Sequence, residues 1–221
     1  QHGQPALFLL LLDALGGGLS SPEFSVLVAY SKMVLSDDLL DSPLPDEPYF
    51  QRVLESYFPS AIAERYSDRL ASHPLRREII TTVVVNQIIN RGGITFGFRA
   101  MEESGATSVE IARAHTVARE VFGLDEFWAQ VAELDNRVPV RAQSGLYLES
   151  RRLLDRASRW LLQSRRSLLD VEAEIEHFAQ VKGLVTDIPQ MLRGAERERL
   201  LGRVTEKTAQ CVPDELAVVT A

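Results

Sequence analysis

Apolar residues recur at three- and four-residue intervals along almost all of this chain, the spacing of one helix face. No segment is read as the short apolar–polar alternation of a half-buried strand. The stretch "SSPEFSVLVAYSKMVLSDDLL" opens with Ser21 before Pro22, a capping residue followed by proline in the first turn. Leu27, Tyr30, Val34 and Leu35 then recur at helical spacing. The helix should stop near Asp41, because Pro43, Pro45 and Pro48 follow closely. Two shorter helices are predicted over about 48–57 and 59–71, punctuated by Pro59 and Pro74.

The stretch "HPLRREIITTVVVNQIINRGG" is ambiguous, because its β-branched centre favours a strand while Pro74 and Gly92–Gly93 frame it as a helix. On a helical wheel Ile79, Val83, Asn86 and Asn90 fall within roughly 60°, Ile80, Val84 and Ile88 beside them, and Val85 and Ile89 opposite. A segment apolar on every side is a buried central helix, and a strand of this length would exceed the usual size. The expectation is a helix over about 74–90, capped by His73 or Ser72 and closed by Gly92 or Gly93. Asn86 and Asn90 then become buried amides that must find partners. Together with Arg91 they are read as a structural polar clamp, with a small polar ligand site and an interdomain contact as alternatives.

Further on, "TFGFRAMEESGA" predicts a short helix ended by Gly105, and Thr107 with Glu110 has the spacing of a capping box. The helix after that box has Ile111, Ala114, Ala118, Val121 and Phe122 as its apolar face, and another follows over about 125–136. From Val140 to Lys182 there is no proline and only Gly145. Leu146, Leu153, Ala157, Trp160, Leu168, Val171, Ile175 and Phe178 form one stripe about 80° wide, with Arg151, Arg152, Asp155, Arg159 and Arg166 facing away. That predicts one amphipathic helix over about 140–182, roughly 60 Å long at 1.5 Å per residue. The alternative is a break at Ser167, with Ser167 and Asp170 starting a new helix. "IPQMLRGAERERLLGRVTEKTAQ" adds one or two short helices, and "VPDELAVVTA" is a tail or docking segment. The fold class is therefore all-α. The chain divides into an apolar or added segment at 1–17, a compact helical domain at 18–138, and a part at 139–221 with the long helix and the C-terminal helices on it.

Composition narrows the function. A net charge of −7 argues against nucleic-acid binding. The apolar run at 6–15 is too short to span a bilayer and lacks the flanks of a signal peptide, so no membrane partner is expected. One cysteine, Cys211, leaves neither a disulfide framework nor a cysteine metal cluster and fits a cytoplasmic setting. "GGGLSSPEF" and "RGGITFGF" lack the Lys-Ser/Thr of a phosphate loop and the preceding strand of a dinucleotide fingerprint. Glu174 and His177 form one Glu-x-x-His pair, whereas carboxylate-bridged iron bundles need two. No catalytic, cofactor-binding or metal residue is assigned, and a stand-alone helical interaction module is one reading of such a chain.

Three segments carry a resemblance. "GLSSPEFSVLVAYSKM", "HPLRREIITTVVVNQIINRGGITFGFR" and "GATSVEIARAHTVAREVFGLDEFWAQVAELDNRVP" resemble, in the same order, the C-terminal helical region of the large bacterial NAD-specific glutamate dehydrogenases. The similarity runs from about Gly18 to Leu162, thins over the last sixty residues, and is absent from 1–17. It implies a longer parent that oxidises glutamate to 2-oxoglutarate and ammonia with NAD, is homo-oligomeric, and keeps its catalytic residues and NAD fold elsewhere in its chain. This chain would be a noncatalytic structural or regulatory domain. It would hold no cofactor itself, and its partners would be the catalytic and regulatory domains of the same polypeptide.

Overall fold

The computed structural model describes residues 20–164 and 169–220, and every regular element among them is helical. Ser20 caps the first helix, α1 (Ser21–Leu40): its N–H and Oγ both donate to Glu23 Oε2, at 2.8 and 2.6 Å. The cap falls one residue before the Ser21 expected, because Ser20 is the serine with a glutamate three positions on. The proline-rich turn after α1 folds as a 3₁₀ turn (Leu44–Asp46), and α2 (Pro48–Tyr57) and α3 (Ser60–Leu70) follow as predicted.

The ambiguous stretch is helical, but not as one buried α-helix over 74–90. It forms α4 (Arg76–Gln87), which passes into a π-helical turn (Ile88–Gly92). His73 and Pro74 precede the helix, and Leu75 occupies the cap position, its N–H donating to His73 Nδ1 at 3.2 Å. Gly93 ends the turn at φ +96°, a conformation that L side chains rarely adopt. A Cβ on Gly93 would collide with the Arg151 guanidinium, and one on Gly92 would collide with the Phe96 ring, so both glycines allow close packing as well as the turn.

The buried central helix is the one after the capping box. Between α5 (Phe96–Ser104) and α7 (Leu124–Glu133) lies α6 (Ser108–Val121), with ten of its fourteen residues buried. Thr107 N–H donates to Glu110 Oε2 at 2.7 Å and Glu110 N–H to Thr107 Oγ1 at 3.3 Å, so the predicted capping box is present. Its most extensive neighbour is α8 (Val140–Ser164).

The helix expected over 140–182 is not continuous. It ends at Ser164, and α9 (Val171–His177) starts afresh because Asp170 Oδ1 accepts the Ala173 N–H at 3.0 Å. Ser167 and Leu168 lie outside the described residues. A second discontinuity at 178–180 precedes α10 (Val181–Met191), and α11 (Gly194–Thr208) and α12 (Asp214–Thr220) complete the chain. Of the two readings of the last segment, tail or docking segment, it is the second that holds: Val212, Leu216 and Ala217 are buried, in the same cluster that includes Leu35 and Phe50. The regions before and after residue 138 thus share one core.

The buried face of α8 is also rotated from the predicted stripe. Ala142, Leu146, Ser150, Leu154, Ser158 and Leu161 face inward, about 60° around the helix from the centre of the apolar stripe. Three of these buried residues, Ala142, Ser150 and Ser158, are small, and Ser150 accepts the Trp128 indole N–H of α7, while Leu153 and Trp160 are left at the edge of the buried face. On the side facing away from the stripe, Arg159 pairs with Glu103 of α5 and, at 3.1 Å, with Asp155 of α8 itself, while Arg152 is exposed.

Ile111, fully buried on α6, tests the placement of the core. Ile111→Ala is expected to lower the unfolding free energy by about 2–5 kcal/mol, whereas Leu148→Ala, on the exposed side of α8, should stay within about 0.5 kcal/mol. Urea denaturation measures both.

Candidate functional site

Two polar constellations organise the interior. The first is centred on α6. Arg119 is almost wholly buried, and Nη2 donates to Glu120 Oε1 at 2.6 Å and to the Tyr49 hydroxyl at 3.1 Å. Tyr49 in turn donates to Glu120 Oε1 at 2.6 Å. The Arg119 Nε lies 3.3 Å from Asp125 Oδ2, close enough for an ion pair but not aligned for a hydrogen bond. Burial alone would lower the Arg119 pKa; Asp125, Tyr49 and Glu120 reverse this and hold it above its ordinary value. Burial, reinforced by Glu120, keeps the Tyr49 phenol protonated well above the usual tyrosine range. One α6 side chain thus ties α2 to the start of α7.

His115 lies one turn before Arg119 and is fully enclosed, its ring 5.6 Å edge-to-face from Phe96. Its Nε2 has no hydrogen-bond partner among the described residues. Burial, and secondarily the Arg119 charge, push its pKa down to about 3. It is a neutral core imidazole.

The second constellation closes the π-helical turn. The Arg91 guanidinium lies 4.2 Å above the centre of the Trp128 ring and 6.0 Å from that of Tyr147. Trp128 Nε1 donates to Ser150 Oγ at 2.9 Å, and Ser150 Oγ donates to the Tyr147 carbonyl at 2.9 Å. The turn, α7 and α8 are joined there.

The residues assigned to the clamp are only partly brought together. Asn86 is half-buried and Asn90 is exposed, so the pair is not the buried amide pair expected. Asn90 falls inside the π turn that ends the helix, where it is open to solvent. We propose that Arg91 alone of the three acts as the clamp, through its aromatic partners. Arg119 and Tyr49 were missed in the sequence. The available signal was His115, which falls inside the apolar face of Ile111, Ala118 and Phe122 on a helical wheel and so marks a buried polar centre on that helix.

A cleft of about 630 Å³ between the start of α2, α6 and the start of α9 is lined by Glu47, Glu110, Asp170 and Glu172 together with Arg113. Arg113 is committed to Glu47 through its Nε at 3.1 Å, and Glu172 to Arg52 at 2.9 Å. Among the described residues no group of three His, Cys, Asp or Glu side chains is arranged to hold a metal ion, and no helix is long and apolar enough to cross a membrane. The chemistry on display is mutual neutralisation of charges that join helices.

The family described as "Glutamate dehydrogenase, C-terminal" matches residues 16–221. The chain belongs to that family. The match extends through α9–α12, so the family relationship does not fade after Leu162 as the motifs alone suggested. Three relatives, each named NAD-specific glutamate dehydrogenase, show the same. That of Halomonas elongata is 40% identical over 205 residues, 92% of this chain and 13% of the relative. That of Mycobacterium tuberculosis is 38% identical over 91% of this chain and 12% of the relative. That of Pseudomonas aeruginosa is 38% identical over 93% and 13%. This C-terminal dehydrogenase region thus spans about an eighth of the length of those relatives. Its three resembling segments fold as α1, as α4 to α5 with the π turn between, and as α6–α7.

Two outcomes follow from the site. Because the folded pKa of His115 lies below its ordinary value of 6.5, the unfolded chain takes up the proton first, and stability rises with pH. Its contribution is complete above about pH 6.5 and is lost progressively as pH falls towards 3. His115→Gln should flatten the fall in unfolding free energy between about pH 6.5 and 5, measured by urea titration across that range. Separately, Arg91→Ala should cost about 0.5–1 kcal/mol, whereas Asn90→Ala stays within about 0.5 kcal/mol. Equal losses for the two would remove Arg91 from the clamp.

Proposed function

We propose that this chain is the noncatalytic, structural and regulatory C-terminal domain of an NAD-dependent glutamate dehydrogenase. The parent would convert L-glutamate, NAD and water to 2-oxoglutarate, ammonia and NADH in the cytoplasm. The observation that carries this is the lopsided alignment: nearly all of this chain corresponds to a small part of each relative. The side chains support it. Tyr49, Arg119 and Glu120 are committed to one another, His115 is neutral and enclosed, and Arg113 is tied to Glu47. None stands free beside a cavity as a general base or hydride-site acid would. The domain's contribution is a rigid helical body that packs against the catalytic and regulatory parts of the same polypeptide. NAD is bound by the parent outside these residues, and the parent assembles as a homo-oligomer.

The test is turnover. The isolated 221-residue chain, shown to be folded by a cooperative unfolding transition, is expected to give no glutamate-dependent NADH formation. The parent polypeptide is expected to give it, and removal of this domain should lower its activity or disperse its assembly. Turnover by the isolated chain would overturn the reading.

A further inference from the structure

Resting on that reading, we propose that the groove between the end of α6 and the middle of α8, continued by the apolar face of α10, is where the remainder of the parent polypeptide docks. The groove encloses about 330 Å³ and its wall is almost entirely apolar, with Phe122, Leu153, Trp160, Phe178 and Val181 around it. Trp160, a large aromatic side chain, is half exposed there, its ring 5.8 Å edge-to-face from Phe178. Val181 opens α10, and Leu184, Ile188 and Met191 follow it at helical spacing within about 80°. All three of these are exposed. The groove therefore runs into an apolar track about 15 Å long, at 1.5 Å per residue.

This surface follows from the rotation of α8, which leaves three residues of its apolar stripe, Leu153, Ala157 and Trp160, to line the groove. A half-exposed tryptophan beside a concave apolar wall is the usual anchor of an interface.

Three observations choose the occupant. The matched relatives extend far beyond this region, so most of such a parent lies outside the residues that form the groove. A tethered partner acts at high effective concentration, which suits a groove that holds only a few side chains. The one charged residue on the wall is Arg156, which is exposed and forms no ion pair among the described residues. The occupant is accordingly an apolar helix or loop with a carboxylate beside its anchor residues.

The experiment uses the full-length parent polypeptide with the photoreactive residue p-benzoylphenylalanine placed singly at Leu153, at Ile188 and at Met33, an exposed α1 residue that lines no part of the groove. Cross-linked peptides are mapped by mass spectrometry. The expected result is cross-links from Leu153 and Ile188 to residues of the same polypeptide outside these 221, with the yield lowered several-fold by Arg156→Glu. Cross-links from Leu153 and Ile188 only to a second copy, or only within these 221 residues, would overturn the groove assignment. So would cross-links to the rest of the polypeptide from Met33 alone, with the domain-docking reading left standing. If none of the three positions reached the rest of the polypeptide, both readings would fall.

Discussion

Arg119 has almost no contact with water, and the arrangement around α6 follows from that constraint. Burying a guanidinium costs several kcal/mol unless its charge is matched and its donors are engaged. Here the charge is matched from three directions, by Tyr49 on α2, Glu120 on α6 itself and Asp125 in the first turn of α7, with Nη2 the nitrogen that makes hydrogen bonds while Nε and Nη1 make none among the described residues. Those elements cannot shift independently without exposing or orphaning the charge. Apolar burial of Ile111, Ala114 and Val117 supplies the driving force for packing α6, but it is tolerant of small rotations; the charge network is not.

The packing of α8 against α6 has a different character. The buried face of α8 mixes small side chains, Ala142, Ser150 and Ser158, with larger ones, Leu146, Leu154 and Leu161. The same helix carries Leu153, Ala157 and Trp160 to the rim. A helix that serves only its own core has little reason to carry a half-exposed tryptophan and a half-buried leucine next to one another. The arrangement makes sense for a body with two packing faces, one turned to its own core and one turned to a neighbour, which is the geometry the docking proposal requires.

Much of this was legible because local chemistry decided it. The capping box at Thr107 and Glu110, the left-handed Gly105 that ends α5, and the proline-spaced limits of α2 and α3 are set within a few residues, and the structure has each of them. The motifs of the resembling segments fixed the family for the same reason, being contiguous. What could not be read was decided by partners distant in sequence. The π turn depends on Arg91 finding Trp128, and on Gly93 lying beneath Arg151. The inward face of α8 depends on the helices it packs against, α6 foremost, so the apolar stripe pointed about 60° away from it. The break before α9 was legible only as the alternative, a new helix started by Ser167 and Asp170, because the apolar stripe held its phase across it; Asp170 is the cap.

The committed state of the interior groups bears on function as well as on stability. A residue that moves a proton or steadies a developing charge must be able to change partners during a reaction, so it sits in a cavity with its pKa near the working pH. The buried groups here are displaced from that condition in opposite directions. The His115 pKa is driven far down by burial, while Tyr49 and Arg119 are held above their ordinary values in a closed network. Each shift deepens the commitment of its group to the state it already occupies. Such an interior resists change, and its use to a larger enzyme is to present a surface of fixed shape. The apolar track that starts at Trp160 and runs along α10 is a part of that surface that gains from being covered.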